Sequence, residues 1–197
     1  MIEMVRIEDG DSSCSVLIVL KQHTDDEVEV YTECVYTDSN IAATGTGMYH
    51  DSLETAVLKY KDTANYLHLE GIGMPQYNID TLSSFSNVRS IYIGAVTVPR
   101  NQSSAFFTNS TVRQLQLFMT HGIADMGPMP LLNSVTITSC VMDRLPDFNR
   151  TKYPHLASVD IVASAILNQS TSDVWQSIYL MKAEGITVTI SGSISIG

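Results

Sequence analysis

The sequence predicts an α/β solenoid: a curved sheet of parallel strands, short helices and loops on its convex side, and a β-hairpin plus helix closing its N-terminal end. Three observations predict it. One pattern recurs six times with a spacing near 24 residues. Within each copy apolar and polar residues alternate, as in a strand with one buried face. The stretches between copies carry further apolar anchors, as a chain returning along the other side of a shared core requires.

The six copies are ANYLHLEGIGM from Ala64, VRSIYIGAVTV from Val88, VRQLQLFMTHG from Val112, LNSVTITSCVM from Leu132, LASVDIVASAI from Leu156 and AEGITVTISGS from Ala183. Their starts are 24, 24, 20, 24 and 27 residues apart. The first, fourth and sixth positions are apolar in all 18 cases, against about eight expected from a chain that is 44% apolar. The second, third and fifth are apolar only at Tyr66, Tyr92 and Ala157. The pairs Leu67/Leu69, Ile91/Ile93, Leu115/Leu117, Val135/Ile137, Val159/Ile161 and Ile186/Val188 therefore point to one side of successive strands. A strand this short cannot bury its edge alone, but a parallel stack makes a continuous core. The return anchors are Ile79, Leu82 and Phe85, then Phe106 and Phe107, then Met126 and Leu131, then Leu145 and Phe148.

This pattern resembles the leucine-rich-repeat family, whose framework is L-x-x-L-x-L-x-x-N/C-x-L. Leu132, Val135, Ile137, Cys140 and Met142 fill its five slots in the fourth copy, and the resemblance covers residues 64–196. The resemblance implies a curved parallel sheet that binds another molecule on its concave face. The family's asparagine, which bonds neighbouring backbones at the turn after the strand, is replaced here by Ile72, Val96, Thr120, Cys140, Ser164 and Ser191. That departure predicts an irregular stack and leaves a right-handed β-helical relative, like the L domains of receptor ectodomains, as the second choice.

Residues 1–62 are read as an N-terminal acidic cap and 63–197 as the repeat region, together one structural domain. In the cap, residues 14–20 and 27–36 read as two strands joined by Lys21–Asp26. Gly45 and Gly47 mark a loop, and Asp51 with Glu54 reads as a capping box opening a helix to about Lys61, with Leu53, Val57 and Tyr60 on one face. Cys14 and Cys34 flank the hairpin and are a candidate disulfide pair. Near the C-terminus a helix is expected with Thr171 or Ser172 as N-cap, Val174, Ile178 and Met181 inward and Gly185 as the stop. Trp175 is read as packing within it. The chain closes on SGSISIG without a polar capping element, so further repeats or a homo-oligomer are expected at that edge.

The net charge of −10 is uneven: residues 1–63 hold 13 acidic and 4 basic side chains, and residues 64–197 hold 8 and 7. No basic patch exists for nucleic acid or an anionic membrane surface. The longest apolar run, Val16 to Leu20, is far too short for a bilayer. His23, His50, His68, His121 and His155 are scattered without metal-ligand spacing, so no metal or other cofactor is expected. No nucleophile elbow, P-loop or dinucleotide fingerprint occurs. Cys140 sits in a buried slot, which argues against a nucleophile. Among outward strand positions only Glu70 and Asp160 are carboxylates, four repeats apart, about 19 Å at the spacing of neighbouring strands. Catalysis is therefore not expected. Sequons at Asn101, Asn109, Asn149 and Asn168 all fall in return segments and favour an extracellular or cell-surface setting over the cytoplasm.

The expected function is recognition of a protein partner. Outward positions bring Tyr66, His68, Arg89, Tyr92, Arg113, Gln116 and Phe118 onto one sheet face, with Tyr92, Gln116 and Phe118 at its centre. Tyr, Arg and exposed Phe are the side chains that dominate interfaces. A glycan-binding β-helix and a purely structural scaffold are the alternatives.

Overall fold

A computed structural model describes residues 15–22, 27–35, 46–71 and 81–197. The described chain is dominated by a nine-stranded sheet, mostly parallel, with a few short helices. It opens with β1 (Ser15–Gln22), β2 (Val28–Val35) and β3 (Thr46–Asp51), which are antiparallel to one another in that order. Helix α1 (Leu53–Tyr60) follows, and the chain then re-enters the sheet as β4 (Tyr66–Glu70). From there, helix α2 (Thr81–Ser84) leads to β5 (Ser90–Gly94), and a 3-10 turn with helix α3 (Ser103–Phe106) leads to β6 (Gln114–Phe118).

Beyond β6 the chain alternates between two sheets. The short strands β7 (His121–Ile123), β9 (Val141–Met142), β11 (Ala165–Ile166) and β13 (Ser195–Ile196) form a parallel four-stranded sheet. The strands β8 (Ser134–Thr138), β10 (Ser158–Val162) and β12 (Thr187–Ser191) continue the large one, helix α4 (Thr171–Ala183) lying between β11 and β12. The large sheet runs β12-β10-β8-β6-β5-β4-β1-β2-β3, parallel from β12 to β1.

Inward alternation explains the pairing. Ile18, Leu67, Ile91, Leu115, Val135, Val159 and Val188 lie in register across the ladder, as do Leu20, Leu69, Ile93, Leu117, Ile137, Ile161 and Ile190. All but Ile190 are buried, and each such aliphatic side chain contributes about 1.5–3 kcal/mol by leaving water. The return anchors Leu82, Phe85, Phe106, Phe107, Met126, Leu145 and Phe148 close the other side of this core. Asn109 is buried among them: its Nδ2 donates to the Leu82 and Phe85 carbonyls, and its Oδ1 accepts from Thr111 N at 2.8 Å and Val112 N at 3.3 Å. Tyr153 is fully buried, with its hydroxyl donating to the Met126 carbonyl at 2.9 Å. Burial pushes that phenol's pKa up.

One backbone device recurs where the chain leaves the large sheet. The residue just beyond each of β4, β5, β6, β8, β10 and β12 is left-handed: Gly71, Ala95, Met119, Ser139, Ala163 and Gly192, with φ between 47° and 72°. Four of these are not glycine, a conformation that costs an L-residue about 1–2 kcal/mol. What holds them is a second ladder. The N–H groups of Gly71, Ala95, Met119, Ser139 and Ala163 donate at 2.9–3.0 Å to the carbonyls of Gly94, Phe118, Thr138, Val162 and Ser191 of the next repeat. The adjacent side chains add to it, Thr120 Oγ1 donating to the Ile93 carbonyl at 3.3 Å, and Ser164 Oγ donating to the Val162 carbonyl at 2.9 Å while accepting from Cys140 N at 3.2 Å. These small polar residues occupy the slots Thr120, Cys140 and Ser164.

Several sequence expectations need correction. The hairpin, expected as a cap, is not among them: it joins that end of the sheet directly, β1 pairing parallel with β4, Leu17 opposite Tyr66. The last repeat is read two residues early: Val188 and Ile190, not Ile186 and Val188, stand beside Val159 and Ile161, and Ala183 is exposed. A slip of two keeps the same face inward, so alternation could not detect it. Ser52, not Asp51, caps α1, its Oγ accepting from Thr55 N at 3.1 Å, and Ser170 caps α4, accepting from Asp173 N at 3.3 Å. Gly47 lies in β3 rather than in a loop. Leu131 is exposed because it sits in a turn closed by Leu132 N donating to the Met129 carbonyl at 3.0 Å, and Met129 takes the buried seat. Gly45, Ile72, Ile79 and Cys14 lie outside the described residues.

Candidate functional site

Strand register arranges the outward side chains in rows. The central row passes through Val19, His68, Tyr92, Gln116, Thr136 and Asp160. One row toward the strand starts contains Tyr66, Ser90, Gln114, Ser134 and Ser158, and one row toward the strand ends contains Lys21, Glu70, Gly94, Phe118 and Thr138. Neighbours in a row belong to strands about 4.8 Å apart, so the face is continuous.

His68, Tyr92 and Glu70 form its most organised cluster. The His68 and Tyr92 rings lie with centroids 4.4 Å apart at a 59° tilt. His68 Nε2 is 3.4 Å from Glu70 Oε2, close enough to pair in charge but not aligned as a hydrogen bond. The His68 side chain is only 12% exposed, Glu70 42%. Burial lowers the imidazole pKa, opposed by the Glu70 carboxylate, with Lys21 pushing down as well. Burial raises the Tyr92 phenol, and Glu70 raises it further. Gly94 is glycine for a local reason: the Tyr92 ring lies over it, and a Cβ there would come within 2.8 Å of Tyr92 Cε1.

The expected patch residues fall into two groups. Tyr66, His68, Tyr92 and Gln116 lie on the sheet face, half-buried to intermediate, and Phe118 stands at its rim, 38% exposed. Phe118 is opposite Gly94, one row from Tyr92. Arg89 and Arg113 lie just before β5 and β6, where their carbonyls receive the next repeat, Arg113 N donating to Arg89 O at 2.7 Å and Asn133 N to Arg113 O at 2.7 Å. The arginines thus border the face at the strand starts. Sequence reasoning missed the hairpin's share. Lys21 stands between Glu29 and Glu70, and Val19 between Tyr31 and His68. The acidity of the N-terminal third and the run VLIVL were visible, but not a partner strand some fifty residues downstream (Ile18 to Leu67).

Elsewhere, the described residues contain no group of three His, Cys, Asp or Glu side chains able to hold a metal, and no helix among them is long and apolar enough to cross a membrane. Cys140 is buried and its thiol pKa is raised by burial, with Sγ donating to the Thr138 carbonyl at 3.3 Å. Cys34 lies opposite Val16 in β1, and its pairing with Cys14 falls outside the described residues. Of the sequons, Asn101 and Asn168 are exposed and Asn149 is intermediate. Asn109 is corrected: it is buried with both amide hydrogens engaged, which leaves a glycan no room on the folded chain. Trp175, expected to pack, is 56% exposed, because Val174, Ile178 and Met181 take the inward face of α4.

No protein-family model, curated protein or solved structure matches the chain.

Proposed function

We propose that this chain is a leucine-rich-repeat-like solenoid that binds a protein partner on the outward face of its large sheet, without catalysing a reaction. The observation that carries this reading is the row His68–Tyr92–Gln116, with Phe118 one row away: aromatic and amide side chains held at strand spacing on a face that binding need not order. Aromatic side chains on a rigid support are the usual anchors of protein interfaces. Bonds from Thr120 and Ser164 to neighbouring backbones support the family reading, since they do at the corner what that family's asparagine does. The two outward carboxylates that the repeats supply, Glu70 and Asp160, stand four strands apart, about 19 Å, too far to share an acid/base task. Exposed Asn101 and Asn168 suit a secreted or surface protein whose glycans leave the sheet face clear.

The test is site-specific photocrosslinking from position 116, identification of the captured protein, and direct titration with that purified protein. Tyr92→Ala and Phe118→Ala are expected to cost at least 1–2 kcal/mol each, about 5- to 30-fold in Kd. Ser104→Ala on the return side is the control. Losses below about 1 kcal/mol for both aromatic variants would remove this face as the binding surface.

A further inference from the structure

We infer that the chain self-associates as a two-fold dimer through the free edge of β12, its last long strand. Among the described residues β12 pairs with β10 on one side, and no strand lies on the other. Thr187 N donates to the Ala157 carbonyl and the Ser191 carbonyl accepts from Ala163 N, so residues 187, 189 and 191 turn their backbone groups toward β10. Alternation leaves the N–H and C=O groups of Val188 and Ile190 aimed off the sheet.

The core side chains at this end lack one layer of cover. Ile137 and Ile161, in the same slot of earlier repeats, are 0% and 1% exposed, whereas Ile190 is only partly buried. Ile166 is 1% exposed, and its neighbour Ile196 is again only partly buried. What completes such an end is a strand offering backbone donors and acceptors together with apolar side chains two residues apart. The β12 segment TVTIS is itself such a strand. Paired antiparallel about Thr189, two copies place Val188 opposite Ile190 and Thr189 opposite its own twin, with the four free backbone groups of each copy satisfied by the other.

Charge favours this occupant. The chain carries a net −10, yet no side chain from Ile186 to Gly197 is charged, and Asp160, beside Thr189, lies one strand back from the contact, so the two β12 strands meet without like-charge opposition between them. The usual guards of an edge strand, a lysine, a proline or a bulge, are missing from β12. A two-fold contact between identical patches also closes on itself and stops at the dimer.

The test is sedimentation equilibrium of the full chain and of variants at Thr189, an exposed outward position that leaves the core intact. Wild type is expected at twice the 21.6 kDa chain mass. Thr189→Lys and Thr189→Asp each set two like charges against one another at the two-fold axis, about 4.5 Å apart between Cα atoms. Thr189→Asp, which also stands beside Asp160, is expected at the monomer mass, and Thr189→Lys, whose ammonium Asp160 partly offsets, as a weakened dimer, both with an unchanged circular dichroism spectrum. An equimolar mixture of the two variants is expected to regain the dimer. Wild type that stays monomeric at all accessible concentrations overturns the proposal, and so do variants that dimerise as tightly as wild type. A mixture that stays monomeric overturns the two-fold register at Thr189.

Discussion

The His68 imidazole stacks 4.4 Å from the Tyr92 ring while its Nε2 faces the Glu70 carboxylate at 3.4 Å, so one side of the ring is apolar and the other charged. Burial prevails and lowers the His68 pKa from 6.5. In the window just below that value the unfolded chain binds the proton and the folded chain does not, so stability declines as pH falls. The urea midpoint is therefore expected to drop between about pH 7.5 and about pH 5.5, and His68→Gln to flatten most of that drop. A midpoint that rises on acidification would show that Glu70 dominates instead.

Asn109 joins two return segments through both ends of its amide. Asn109→Ala leaves the Leu82 and Phe85 carbonyls and the Thr111 and Val112 N–H groups without that partner, at an expected cost of about 2–4 kcal/mol. Asn109→Asp keeps the acceptor but turns a carboxylate toward two carbonyls, and is expected to cost no less. Asn101→Ala, at an exposed site, should stay within about 0.5 kcal/mol. Equal midpoints for Asn101→Ala and Asn109→Ala would contradict the network.

The left-handed corners make a prediction with an unusual sign. Ala95 is exposed with φ 55°, so Ala95→Gly removes strain and is expected to stabilise by about 0.5–1 kcal/mol. Ala105→Gly, within α3, should destabilise by about the same amount. Chemical denaturation with unchanged m-values reads both. Loss of stability in Ala95→Gly would mean that the corner is not strained.

Cys140 should be chemically silent in the folded protein. Its thiol is covered, and burial keeps it protonated. Iodoacetamide at about pH 8, near the usual thiol pKa, followed by peptide mass analysis, is expected to leave the Cys140 peptide unmodified in buffer and to alkylate it in urea. Rapid modification in buffer would place the thiol on the surface.

The parallel sheet was legible because its strands alternate: Ile91 and Ile93, Leu115 and Leu117, Val135 and Ile137 each sit in the core where alternation puts them. Once register is known, the rows of the face follow, so Tyr66, His68, Tyr92 and Gln116 could be named in advance. The rest depends on contacts that no local pattern encodes. The pairing of β1 with β4 joins Ile18 to Leu67 across fifty residues that give no sign of it. The corners escaped notice because Ala95, Met119, Ser139 and Ala163 adopt a conformation that sequence reading reserves for glycine or asparagine. Trp175 and Leu131 look like core residues by composition, but the seats they would take go to Val174, Ile178 and Met181, and to Met129.

A chain that leaves its sheet through the same left-handed bend after β4, β5, β6, β8, β10 and β12 carries matching backbone joints along its length. Excising residues 96–119 would splice Ala95 directly to Thr120, the residue that now follows the left-handed Met119, and Ala95 N–H would meet the Thr138 carbonyl that Met119 now uses. The joint matches on the sheet side alone: the same excision removes Asn109, and the Leu82 and Phe85 carbonyls would have to find other donors on the return side.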